Sequence, residues 1–133
     1  MRSELRDIDM DDRAFADLTA EVGEFVSGQG DGLVNVFVPH ATASLVLMET
    51  GSGSEDDLAQ ALERLLPRDH PYRHSHGSTG HGADHVVPAF LSSSLTVPVI
   101  DGKLQLGTWQ SVVLVDTNRD NARRRFRLSL LSG

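Results

Sequence analysis

The sequence predicts a single α+β domain over residues 1–133, with a largely antiparallel or mixed β-sheet and two main helices packed on one face. Three observations carry this. Segments with strand character outnumber helical ones about two to one, and the later ones run consecutively. Asp101-Gly102 stands between two apolar-alternating runs, a strong two-residue hairpin signal. The last segment alternates strictly, with Phe126, Leu128 and Leu130 on one side and Arg125, Arg127 and Ser129 on the other.

Taken in order, Glu4 to Ile8 reads as a short strand. Asp11 and Asp12 then supply acidic caps for a helix over Arg13 to Phe25, where Phe15, Leu18, Val22, Phe25 and Val26 recur at helical spacing. Gly28, Gly30 and Gly32 turn the chain into Leu33 to Val38, a Val-rich run expected to be a buried central strand. These glycines follow a helix and precede a strand, the reverse of a nucleotide-binding fingerprint. A break at Pro39 to Ser44 carries His40, Thr42 and Ser44, and a second apolar strand, Leu45 to Met48, ends at Glu49. Ser54 and Asp57 have capping-box spacing and open a helix that presents Leu58, Ala61, Leu62 and Leu65 on one face and stops at Pro67. Val86 to Leu91 can make one or two helical turns with Pro88 in the first. Leu95 to Ile100 and Lys103 to Leu106 form the hairpin, where Pro98 argues for an edge strand or a bulge. Ser111 to Val115 is a further strand, preceded by the turn Gly107-Thr108-Trp109-Gln110.

Five of the six histidines fall between His70 and His85, in a stretch rich in glycine, proline and hydroxyl residues that has neither helical nor strand periodicity. Imidazoles there are not needed for a core. They hold metal, move protons or are simply solvated. With no cysteine there is no disulfide, no thiolate nucleophile and no sulfur ligand, so a metal would rest on imidazole, carboxylate, carbonyl or water.

The formal charge of −7 is unevenly spread: residues 1–69 hold 15 acids and 5 bases, residues 70–133 hold 4 acids and 7 bases. An acidic chain with one arginine cluster is a poor nucleic-acid binder, but it suits a small anion. No apolar run is long enough to span a bilayer, and the N-terminus lacks the apolar stretch of a secretory signal, so a cytoplasmic protein that does not enter membranes is expected.

Several fragments together resemble the YjbQ-like family, often described as secondary thiamine-phosphate synthases: His40-Ala-Thr-Ala-Ser-Leu-Val-Leu-Met-Glu49, Tyr72-Arg-His74, His85, Leu106-Gly-Thr-Trp-Gln110 and the terminal Arg124-Arg125 strand. The resemblance covers nearly the whole chain. Met48 stands where the family usually has Asn, and the stretch from Thr50 to Asp57 is one residue short, so either Asp56 or Asp57 matches the family's helix aspartate.

The resemblance implies a homotrimer and a site built from His40, His74, His85 and Glu49, with Trp109 and Gln110 in the pocket. His70, His76 and His81 fall outside the pattern. Three histidines without cysteine are the residue set of an open metal site, with zinc expected first and nickel or magnesium as alternatives.

The implied reaction joins a hydroxymethylpyrimidine diphosphate to a thiazole phosphate. Thr42, Ser44, Arg124 and Arg125 would then serve the phosphates, and Trp109 would offer a stacking face. Two other expectations stand beside it. One is a metal-dependent hydrolase of a small phosphorylated or carbonyl substrate with Glu49 as general base; the other is a non-enzymatic module that binds an anion or a metal.

Overall fold

A computed structural model describes all 133 residues. The chain forms β1 (Arg2–Asp9), β2 (Phe15–Asp17), α1 (Thr19–Val26), β3 (Gly32–Phe37), β4 (Ala43–Met48), α2 (Ser54–Leu65), α3 (His81–Asp84), α4 (Val87–Leu91), β5 (Ser94–Ile100), β6 (Lys103–Leu104), β7 (Ser111–Asp116) and β8 (Arg123–Ser132). The strands divide between two antiparallel sheets, one ordered β1-β8-β3-β5-β6 and the other β2-β7-β4. The α+β class is as expected, and the break at Pro39 to Thr42 is where the chain crosses from one sheet to the other.

One apolar core lies between the sheets. Val34, Val36, Val97, Val99, Phe126, Leu128 and Leu130 of the larger sheet meet Ala16, Ala43, Leu45, Val112 and Leu114 of the smaller one, with Val22, Phe25 and Val26 of α1 closing the side. The uninterrupted run Val112 to Val115 follows from burial on both faces. Val112 and Leu114 enter this core, whereas Val113 and Val115, also buried, point the other way, toward the layer that contains α2, α3 and α4.

The edge strand β1 turns Arg2 and Arg6 inward, where they donate to the carbonyls of Phe25 (2.6 Å) and Glu21 (3.3 Å) in α1. Charged side chains turned inward on an outer strand also discourage pairing with a foreign chain.

The helix expected over Arg13 to Phe25 is corrected: its first part is β2, in register with β7 (Phe15 with Val115, Asp17 with Val113), and α1 begins at Thr19. Phe15 and Leu18 sit at spacing that suits a helix as well as a strand and turn, and pairing with the buried β7 decides the matter. The start signal is Asp17, whose carboxylate accepts from the Thr19 amide at 2.9 Å, and not Asp11 or Asp12. The capping box is corrected too: Gly53, at φ +96°, precedes α2 and no side chain caps it, while Ser54 is already helical.

The hairpin forms as expected, with Asp101 (φ +49°) and Gly102 (φ +69°) both left-handed as a tight two-residue turn requires. Pro98 is tolerated because its carbonyl accepts from Gln105 on the side of the two-residue β6, so its missing N–H costs the β3 ladder nothing. No helix is long and apolar enough to cross a membrane.

Candidate metal centre

The histidine-rich stretch contains a short helix that its glycines hide. In α3, His81 lies four positions before His85, the spacing that puts two side chains on one helical face. What anchors this turn is Asp84, fully buried. Its carboxylate accepts from both terminal nitrogens of Arg68, from Thr117 Oγ1 at 2.7 Å and from Asn118 Nδ2 at 2.9 Å. Burial of a carboxylate is tolerated when its oxygens are hydrogen-bonded in this way. Asp84 in turn holds the Arg68 guanidinium above its usual pKa, chiefly through that hydrogen bond.

His81 is held by a second acidic contact. His81 Nδ1 lies 3.1 Å from Asn118 Nδ2 and 3.2 Å from Asp120 Oδ2, and Asn118 Nδ2 also reaches Asp84 (2.9 Å) and Asp120 (3.3 Å). A carboxylate oxygen only accepts, so the contact with Asp120 favours the proton on Nδ1, which in the neutral ring leaves the lone pair on Nε2. Asp120 is kept below the usual carboxylate range, first by the Ser78 hydroxyl at 2.9 Å and then by Asn118 and His81.

His85 Nε2 lies 2.9 Å from His81 Nε2, and the His74 ring stacks on His81 at 4.9 Å between centroids and stands 4.3 Å from His85. One nitrogen from each of His74, His81 and His85 falls within 4.8 Å of the others. His74 is pushed below the usual histidine pKa, first by desolvation beneath its neighbours and then by the like charges of His76, His85 and His81.

These residues fit a divalent ion. Three imidazoles bound at about 2.0–2.1 Å would place their nitrogens roughly 3.3 Å apart, a separation that lies between the 2.9 Å of the two Nε2 atoms and the 4.8 Å that bounds the group, and the carboxylate behind His81 is the usual outer partner of a ligating histidine. Two Nε2 atoms at 2.9 Å with at least one bare lone pair require a proton or a cation between them.

The imidazole nitrogens that converge within the chain are those of His74, His81 and His85, and His40, expected beside His74 and His85, is not among them. His40 Nε2 accepts from the Arg125 amide at 2.9 Å, so its neutral ring carries the proton on Nδ1 and has no lone pair to offer. Burial, followed by the charge of Arg124, lowers the His40 pKa.

The consequence for stability has a definite sign. Below the ordinary value near 6.5 the unfolded chain takes up a proton that the folded chain resists, so this residue makes stability fall as pH drops through that range. We expect His40→Gln to reduce the loss of stability between pH 7.5 and 5.5, as read by urea denaturation at each pH.

Arg124, expected to serve a phosphate, is engaged within the chain. It shares the inward face of β8 with Phe126, is 7% exposed, and donates from Nε to Asp116 Oδ2 at 2.5 Å and from Nη2 to Thr42 Oγ1 at 3.2 Å. Thr42 is thereby engaged as well. Ser44 is fully buried and its hydroxyl has no partner. Arg125 faces outward and pairs with Asp7 at 3.2 Å.

Glu49, Trp109 and Gln110 lie at the far end of the smaller sheet. β4 starts beside Asp116 and ends beside Ser111, a run of six residues, so Glu49 is separated from the Thr42 and Arg124 end by about 17 Å of strand. Trp109 is 73% exposed, and Gln110 Oε1 accepts from the Gly107 amide at 2.8 Å. Asp57 and Asp56 are both exposed in the first turn of α2. Sequence reasoning missed His81, Asp84, Asn118, Asp120, Arg68 and Asp116 as parts of the site and its support. Of these, only His81 had a visible signal, its four-residue spacing to His85.

Residues 6–133 match the family model described as UPF0047 protein YjbQ-like. A UPF0047 protein of Mycobacterium tuberculosis is 56% identical over 133 residues, with all of both chains covered, and one of Archaeoglobus fulgidus is 36% identical over 108 residues, covering 81% of this chain and 84% of that one. The crystal structure of a hypothetical protein from Aeropyrum pernix K1 superposes with a TM-score of 0.89 at 26% identity, over 100% of each chain. With the whole fold and nearly the whole sequence matched, the chain belongs to the YjbQ-like UPF0047 family.

Proposed function

We propose that the protein is a metal-dependent hydrolase of a small phosphorylated or carbonyl substrate, with His74, His81 and His85 holding the ion. The observation that carries this is the convergence of three imidazole nitrogens, one of them fixed in its tautomer by Asp120. A divalent ion held by three imidazoles keeps an open position and would supply a Lewis acid that acidifies water and polarises a substrate oxygen. The chain's own part is positional. Asp120 keeps the His81 proton on Nδ1, and Asp84 with Arg68, Thr117 and Asn118 fixes the helical turn that aims His81 and His85.

The transferase reading that the family resemblance implies has less support, because the two arginines it assigns to the phosphates are engaged with acids of the chain. Arg124 is neutralised by Asp116, and Arg125 pairs with Asp7. The test compares metal-stripped and zinc- or nickel-reloaded protein on p-nitrophenyl phosphate and p-nitrophenyl acetate, and on the pyrimidine diphosphate with the thiazole phosphate. Hydrolysis that appears only on reloading supports the proposal. Thiamine phosphate formed equally well without metal contradicts it.

The proposal includes a homo-oligomer, a trimer by family resemblance. Glu49 and the exposed Trp109 lie at one end of the smaller sheet, while α3 packs near the other, beside Thr117 and Asn118. A head-to-tail contact that closes into a ring would bring the two ends together between neighbouring chains. Mixing inactive His85→Ala protein with inactive Glu49→Gln protein under subunit exchange should then restore activity. A monomer by light scattering at assay concentration would rule this out.

A further inference from the structure

Beneath α2 lies a cleft of about 300 Å³ that none of the three converging histidines enters, although Arg68, Asp84 and Thr117, which support them, line one side of it. Its walls are apolar: Phe15 from β2, Leu62 and Leu66 from α2 and its end, and Ala83 and Val87 from the two short helices. The volume falls at the small end of the range for ligand pockets. α2 is amphipathic, yet only Leu62 is buried, and its neighbours Ala59 and Leu66 face the cleft instead of packing against protein. Apolar walls hold water poorly, so this surface is suited to an apolar occupant.

The polar groups at the rim indicate what that occupant carries. Four charged residues line the cleft: Glu63, Arg68, Asp84 and Arg119. Asp84 is saturated by Arg68, Thr117 and Asn118, and Glu63 accepts from the Arg68 amide at 3.5 Å, so both acids are turned toward Arg68. Arg119 is exposed and has neither an acidic partner nor a hydrogen-bond acceptor. It is the one charge at this rim without a counterpart, and a guanidinium in that state favours a carboxylate, which it can meet with two parallel hydrogen bonds.

We infer that this cleft is a binding site for a small amphipathic carboxylate, with its apolar chain under α2 and its carboxylate at Arg119. It adjoins the support of the histidine centre without sharing a histidine with it, and it does not depend on the hydrolase reading.

The test uses butanoate, hexanoate, hexanol and hexylamine as probes, with calorimetry or chemical-shift titration on the full chain. Hexanoate should bind saturably, and affinity should rise about fourfold for each methylene added from butanoate to hexanoate, as burial of one methylene predicts. Arg119→Ala should weaken hexanoate about tenfold and leave hexanol unchanged, which separates the charge contact from packing. Ala59→Trp, at an exposed helical position facing the cleft, should abolish hexanoate binding while metal occupancy stays at the wild-type level. Overturning results are the absence of saturable hexanoate binding, hexylamine binding as tightly as hexanoate, or unchanged hexanoate affinity in either variant. Since metal occupancy is read separately, loss of metal in His81→Ala with hexanoate binding intact would leave this site standing even if the hydrolase reading failed.

Discussion

Replacing His74, His81 or His85 with alanine should lower zinc affinity by about a hundredfold or more, because each substitution would remove one of the three converging imidazoles proposed to hold the ion. His40→Ala leaves zinc affinity unchanged, since its Nε2 is committed to the Arg125 amide. Asp120→Asn is expected to fall between them, at about tenfold, because it disturbs the tautomer and aim of His81 without removing a ligand. Competition titration against a chromophoric chelator reads all five. Equal losses in His40→Ala and His81→Ala would mean that the site forms differently, with His40 brought in from elsewhere, and a wild-type affinity in His81→Ala would remove this residue from the centre.

Arg124→Ala should cost about 3–5 kcal/mol of folding free energy, the usual consequence of removing one member of a buried ion pair. Asp116, 2% exposed, would be left as an uncompensated charge inside the end of the sandwich, with only the Asn118 amide still donating to it. For a domain of this size the melting temperature should drop by about 10–20 °C. Arg125→Ala, which breaks an exposed pair with Asp7, should change stability by less than about 1 kcal/mol. Urea denaturation of the two variants side by side gives the comparison. A stable Arg124→Ala protein that has lost only substrate affinity would return Arg124 to the role that the family resemblance implies.

The difference between these neighbours was written in the parity of the last strand. Arg124 has the same phase as Phe126, Leu128 and Leu130, so the alternation that identified the strand also places Arg124 inside, although its charge invites the opposite reading. The same kind of local information made the Asp101-Gly102 hairpin and the apolar β7 legible. The division into two sheets was not legible, because an inward-facing valine looks the same in either sheet and only long-range pairing assigns it. β2 was lost for a related reason: three residues next to a helix have too little period of their own to outweigh the helical spacing of Phe15, Leu18 and Val22.

In the candidate site, composition pointed to the stretch where imidazoles converge, and the family pattern includes two of those three, His74 and His85. His81 was set aside because it lies outside that pattern, even though its spacing to His85 is helical. Asp84, Asn118 and Asp120 carry no sequence signal at all. Their roles depend on the loop after β7 folding back against α3, a contact between residues more than thirty positions apart.

The central claim is that His74, His81 and His85 hold one divalent ion. X-ray absorption at the metal edge tests it most directly, on protein loaded with one equivalent of zinc, for wild type and His81→Ala. The account predicts three imidazole nitrogens at about 2.0–2.1 Å in the wild type and two or fewer in the variant. An unchanged imidazole count in His81→Ala, or a wild-type spectrum dominated by oxygen ligands, would contradict it.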